Sequence, residues 1–82
     1  MTYCVGFKPR ARKDLQALDK REAGRIIEKI EALREDLTGD VKKLTNFTPE
    51  YRLRVGSYRV LFALEDNKII VYRVRHRKDV YK

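Results

Sequence analysis

The sequence is poor in the residues that build most small-protein chemistry: it has one cysteine, Cys4, one histidine, His76, and no tryptophan. A single thiol excludes an internal disulfide, and Cys4 with His76 falls short of a four-ligand zinc site, so neither a metal nor another cofactor is expected. No run of 18 or more apolar residues is present, which excludes a transmembrane helix and makes membrane contact unexpected. The opening Met-Thr-Tyr-Cys-Val-Gly-Phe-Lys lacks the basic and long apolar segments of a signal peptide, so the expected compartment is the cytoplasm. With only four glycines and two prolines there is no flexible linker or low-complexity tract. The chain also lacks a G-x-x-x-x-G-K-S/T loop, a G-x-S-x-G elbow and an H-E-x-x-H pair. Glu28, Glu31, Glu35 and Asp36 read as the solvated face of a helix, not as a convergent cluster for metal-dependent nuclease chemistry.

What the sequence has is positive charge, unevenly placed. Residues 1–50 carry 11 basic and 9 acidic side chains, a net of +2, whereas residues 51–82 carry 9 and 3, a net of +6. Such a surface suits phosphates or an acidic protein partner. At 82 residues the chain is expected to be one domain, 1–82, since either half alone would be too small for a core.

Hydrophobic periodicity predicts a strand, a helical middle and a strand-rich end. Tyr3, Val5 and Phe7 alternate with polar or small residues, giving a strand over 2–8. Pro9 suits a first helical turn, and Ala11, Leu15 and Leu18 continue at helical spacing, giving a helix over 9–18. Asp19 with Glu22 three positions on is a capping-box start for a second helix over 20–38. Its apolar stripe runs Ala23, Ile26, Ile27, Ile30, Leu33 and Leu37, and Gly39 is the expected stop. Residues 40–49 read as a connector with Leu44 and Phe47 turned inward. After it the period becomes two, with turns expected at Gly56-Ser57 and Asp66-Asn67 and a last strand over 69–76. The class is α+β: an N-terminal strand, and a helical hairpin packed on one face of a small, largely antiparallel, twisted sheet.

Two-residue turns place Arg54 opposite Arg59 and Arg52 opposite Leu61, and an unbroken final hairpin sets Arg59 opposite Val74 and Leu61 opposite Tyr72. One face then carries Leu53, Val55, Tyr58, Val60, Phe62, Leu64, Ile69 and Val71, ready to lie under the helices. The other carries Arg52, Arg54, Arg59, Leu61, Ala63, Ile70, Tyr72, Val74 and His76, the last resting on that register. Arg54 against Arg59 is a like-charge pair, unfavourable unless an anion sits between them. Solvated arginines, or arginines paired with the connector's acids, are the plainer alternative. His76 belongs to the side-chain type that titrates near neutrality, and Tyr72 could stack on a base or simply pack on its sheet neighbours.

The run Tyr51-Arg52-Leu53-Arg54-Val55-Gly56-Ser57-Tyr58-Arg59-Val60-Leu61-Phe62 resembles the Y-R-[LI]-R-x-G-x-Y-R-[VL]-x-[YF] signature of the RelE branch of the RelE/ParE toxin superfamily. Val74-Arg75-His76-Arg77-Lys78-Asp79-Val80-Tyr81 resembles that branch's terminal G-H-R-x-[DE]-V-Y, with Arg75 in place of the glycine. Phe7-Lys8-Pro9-Arg10-Ala11-Arg12-Lys13-Asp14-Leu15 is similar to its F-x-P-x-A-x-K-D-L start. The resemblance implies the toxin of a toxin–antitoxin pair, cutting messenger RNA in the ribosomal A site without metal. Arg52, Arg54, Arg59, His76 and Tyr81 are then the expected catalytic set, with Tyr72, Arg75, Arg77 and Lys78 as RNA contacts. Arg52 and Arg54 stand where some members carry lysines. The implied partners are a cognate antitoxin and the ribosome with its message, with operator DNA reached through the antitoxin. Two other functions fit the same fold: a gyrase poison of the ParE type, and an RNA- or ribosome-binding module that does not cut.

Overall fold

The computed structural model describes residues 2–37 and 39–79. Seven elements follow in order: β1 (Cys4–Phe7), α1 (Pro9–Gln16), α2 (Lys20–Asp36), β2 (Val41–Lys43), β3 (Tyr51–Val55), β4 (Tyr58–Glu65) and β5 (Lys68–His76). The strands form one sheet in the order β1-β5-β4-β3-β2, with β1 parallel to β5 and every other pair antiparallel. Two helices on a mostly antiparallel five-stranded sheet are the α+β architecture expected from the sequence.

The helices form where local chemistry favours them. Pro9 opens α1, where its missing N–H costs nothing. Asp19 caps α2 by accepting a hydrogen bond from the Glu22 amide at 2.9 Å, as its sequence position predicts. Ile26, Ile30 and Leu33, spaced along one side of α2, are buried. Ile27 falls outside that stripe and is 40% exposed. The stop comes earlier than expected: Leu37 caps α2 in the left-handed conformation, with φ 50° and its amide bonded to the Leu33 carbonyl, and Gly39, at φ 117°, follows beyond the cap. Leu37 packs against the core, which offsets the roughly 1–2 kcal/mol such a backbone costs a residue with a Cβ.

Beneath the helices lie Leu53, Val55, Val60, Phe62, Ile69, Val71 and Val74, all buried. Tyr51 stacks on Phe62 with ring centres 5.4 Å apart. The segment expected to be only a connector contains an edge strand, β2, which pairs Val41 with Leu53 and Lys42 with Arg52. One apolar residue followed by two lysines makes no periodic signal, and it is the pairing with β3 that makes the strand.

The β3–β4 hairpin has the expected register, with Val55 opposite Tyr58, Arg54 opposite Arg59 and Arg52 opposite Leu61. Gly56 takes φ 58° in its turn, and a Cβ there would run into the Arg25 guanidinium of α2. The β4–β5 hairpin begins as expected at Glu65 and Lys68 but shifts between Leu61 and Phe62. Phe62 faces Val71 while Leu61 faces Arg73, leaving Tyr72 as the extra residue of a β-bulge. The expected pairings of Arg59 with Val74 and of Leu61 with Tyr72 are therefore corrected to Arg75 and Arg73. The reason is burial. An unbroken alternation would have turned Arg73 into the core, whereas the bulge buries Val74 opposite Val60 and turns Arg73 and Arg75 outward.

An Asp14 carboxylate holds this irregularity. The last paired residue of β1, Phe7, lies opposite Val71, and α1 takes the next stretch of the edge of β5. The Lys8 amide donates to the Val71 carbonyl at 2.8 Å. Asp14 Oδ2 accepts from the Val74 amide at 2.9 Å and from Arg73 Nε at 2.8 Å, while Oδ1 accepts from Arg73 Nη2 at 3.1 Å. These hydrogen bonds, more than the charge, push the Arg73 guanidinium above its ordinary value.

Candidate nucleic-acid interface

The sheet face turned away from the core collects the basic residues. Register sets Lys42, Arg52, Leu61 and Arg73 in one row across four strands, and Arg54, Arg59 and Arg75 in the next. Arginines directly opposite one another on three adjacent strands repel unless an anion lies among them. Among the described residues, carboxylates meet three of these arginines. Asp40 stands 3.7 Å from Arg52 Nη2 and 3.5 Å from Arg54 Nε, and Asp14 engages Arg73. Arg59 turns Nη1 toward its own hairpin, donating to the Gly56 carbonyl at 2.8 Å and the Tyr58 carbonyl at 2.9 Å. Arg52 Nε is buried and has no hydrogen-bond partner among the described residues. Such an atom would gain from an incoming acceptor.

Over Leu61 and Arg73 of the first row, and reaching Arg75 of the second, lies a cleft of about 480 Å³. Its floor is Leu61, buried at 3% exposure although it points away from the main core. The connector supplies one wall with Phe47, Thr48 and Pro49; the start of α1 supplies Lys8, Pro9 and Arg10; and β5 supplies Tyr72, Arg73 and Arg75. Lys8 Nζ sits 5.3 Å from the centre of the Tyr72 ring, within cation–π range.

Of the residues expected to form the site, the structure gathers Arg52, Arg54, Arg59, Tyr72 and Arg75 on this face. It does not place His76 there. Beyond the bulge the alternation is reversed, so His76 pairs with Tyr58 and meets its ring edge-on, 5.5 Å between centres. It lines a separate polar depression of about 400 Å³ with Glu22, Arg25, Gly56 and Ser57. Its Nδ1 accepts from the Lys78 amide at 3.2 Å. Arg77 and Lys78 are exposed in the turn that follows β5. Tyr81 lies outside the described residues. Residue patterns alone passed over Lys8, Arg10, Lys42, Arg73 and the Asp14 clamp. The one signal for them was the three-residue spacing of Val71 and Val74, a phase slip that marks a bulge.

Among the described residues no three His, Cys, Asp or Glu side chains form a group able to hold a metal ion, and no helix is long and apolar enough to cross a membrane.

Residues 5–81 match the family model described as the ParE toxin of type II toxin–antitoxin systems, parDE. The chain is 30% identical over 86 residues to toxin RelG of Mycobacterium tuberculosis, covering 100% of this chain and 99% of that protein. It is 44% identical over 46 residues to toxin RelE3 of Methanocaldococcus jannaschii, covering 56% of this chain and 52% of the relative. The fold is similar to the toxin in the RelB–RelE antitoxin–toxin complex from Methanococcus jannaschii, with a TM-score of 0.78 and 33% identity over 94% of this chain and 95% of that one.

Proposed function

The chain belongs to the RelE/ParE superfamily of type II toxins, and we propose from this that it is a ribosome-dependent, metal-independent endoribonuclease that cuts messenger RNA. The observation that carries the reading is the row Arg54–Arg59–Arg75 across three strands. The reaction is attack of the RNA's own 2′-oxygen on the adjacent phosphorus. The 2′ proton leaves, the P–O bond to the 5′-oxygen breaks, and that oxygen takes up a proton, giving a 2′,3′-cyclic phosphate and a 5′-hydroxyl. Charge peaks on the pentacoordinate phosphorane between these events, and fixed donors aimed at it supply the largest stabilisation. Arginines stay protonated, so Arg52, Arg54, Arg59 and Arg75 act on charge and position and not as proton acceptors. His76 lies on the other side of the sheet, against Tyr58, and is not a member of this row. Tyr81 keeps the role its sequence context implies, orienting or stacking a nucleotide. A cognate antitoxin that covers the arginine face would neutralise the activity, and the ribosome presents the message.

The relatives named RelE and RelG support the ribonuclease reading, while the family model's ParE description favours a gyrase poison as the second. Mapping transcript ends after induction separates them. Discrete cuts inside translated codons are expected. DNA damage with intact messages would establish the gyrase reading, and blocked translation with intact messages a binder that does not cut.

A further inference from the structure

Apart from Arg75, the cleft beside the arginine row is assembled from parts of the chain that the phosphate chemistry does not use. The bulge sets Tyr72 next to Arg73 on the outer face, and the connector lays Phe47 and Pro49 beside the buried Leu61. Arg73 is already tied to Asp14. The remaining rim cations, Lys8, Arg10 and Arg75, pair with no acidic side chain among the described residues. An apolar occupant would leave those three charges unused, and a bare anion would leave the apolar floor unused. An occupant carrying both a flat apolar group and a phosphate uses the whole cleft. At about 480 Å³ it lies at the small end of ligand sites, which span roughly 300–1,000 Å³.

We propose that this cleft is a one-nucleotide subsite: it takes a single unstacked RNA base against Tyr72, Phe47 and Leu61, with that nucleotide's phosphate at Lys8, Arg10 and Arg75. That the polymer is RNA rests on the ribonuclease reading. Arg75 belongs to both the cleft and the arginine row, so the base held here is next to the phosphate held there. The cleft therefore selects one base beside the cut. Stacking on an aromatic ring is tolerant of base identity, so selectivity comes from shape and from the Thr48 hydroxyl.

The test titrates the purified chain with the four nucleoside 5′-monophosphates, ribose 5-phosphate and inorganic phosphate, followed by amide chemical shifts. Nucleotides are expected to move Phe47, Leu61 and Tyr72, whereas phosphate moves only the cationic rim. Tyr72→Ala is expected to weaken nucleotide binding roughly 5- to 150-fold, the range of base–aromatic stacking, and to change which bases flank the cuts. Phe47→Leu attacks the same cleft from the connector and serves if Tyr72→Ala does not fold. Equal shifts with phosphate and nucleotides would overturn the proposal, as would unchanged flanking bases in a folded variant. A cleft that ignores all nucleotides but is protected by a bound antitoxin is a protein-docking site, which also overturns it. If the wild-type chain cuts no message, the ribonuclease reading falls, and the titration still decides the cleft.

Discussion

The two hairpins that share β4 close with two-residue turns, yet only one keeps its register. The β3–β4 ladder runs without interruption from Val55 and Tyr58 to Tyr51 and Phe62. The β4–β5 ladder slips once, at Tyr72. In the first, the turn alone decides which side chains face outward. In the second, the turn decides only the first half, and burial of Val74 with the Asp14 clamp decides the rest. A turn sets register locally, and the core overrides it where the hydrophobic phase changes. The arginine row exists because the two hairpins differ. Without the slip, Arg59 would face Val74.

The largest expected effect comes from testing the slip itself. Val74 is 5% exposed, and Val74→Asp would bury a carboxylate of nearly the same shape with no partner, at a cost of about 3–5 kcal/mol. A small domain holds of order 5–15 kcal/mol in total, so the variant should lose its cooperative thermal melt or show it far lower. Had the ladder run unbroken, position 74 would face outward and the substitution would shift stability by only about 0.5 kcal/mol. A near-normal melt would therefore remove the bulge from the structure, and the cleft with it.

Next in size is the loss expected where the two ladders meet. Arg59 stands opposite Arg54 on one side and Arg75 on the other. Arg59→Ala relieves that repulsion while removing its hydrogen bonds to the Gly56 and Tyr58 carbonyls, so stability should stay within about 1 kcal/mol. Message cleavage should fall about 10²–10³-fold, as for a lost donor to a developing oxyanion. Ribosome co-sedimentation should weaken far less, because Arg52, Arg54 and Arg75 remain. A variant that melts much earlier, or cuts at a near-normal rate, would take Arg59 out of the proposed site.

How far these features could be read in the residues follows from the same contrast. The β3–β4 register was legible because Leu53, Val55, Val60 and Phe62 stay in phase with the Gly56-Ser57 turn. The start of α2 was legible because an Asp cap needs only its own neighbours. Three features were not. β2 needs β3 to exist, and Val41-Lys42-Lys43 carries no alternation of its own. Leu37 holds its left-handed backbone through packing, so the nearby Gly39 was the more natural stop by local rules. Extending one alternation through Val71 and Val74 puts His76 on the arginine face, but those two residues are three apart and both buried. That spacing was visible in the sequence. Its meaning was not, because the acid that makes the slip tolerable, Asp14, lies about sixty residues away.

The smallest expected effects compare the carboxylates that serve the two hairpins. Asp14 makes hydrogen bonds of 2.8–3.1 Å to Arg73 and the Val74 amide, with side chains 17% and 27% exposed for Asp14 and Arg73. Asp40 is 54% exposed and sits 3.5 and 3.7 Å from Arg54 and Arg52. Asp14→Ala strands a buried amide, although Arg73 can still reach water, so a loss of about 1–3 kcal/mol is expected. For a domain of this size that is a fall in Tm of about 4–8 °C per kcal/mol. Exchange of the Val74 amide should quicken while the β3–β4 amides keep their protection. Asp40→Ala removes only loose, solvent-screened pairs and should change stability by less than about 1 kcal/mol. Its sign on binding is the opposite of a loss: with Arg52 and Arg54 uncompensated, affinity for RNA should rise slightly at low salt and return to the wild-type value as salt screens the face. If instead Asp40→Ala matched Asp14→Ala in both melt and amide exchange, the two hairpins would be held alike, and the bulge would need no clamp.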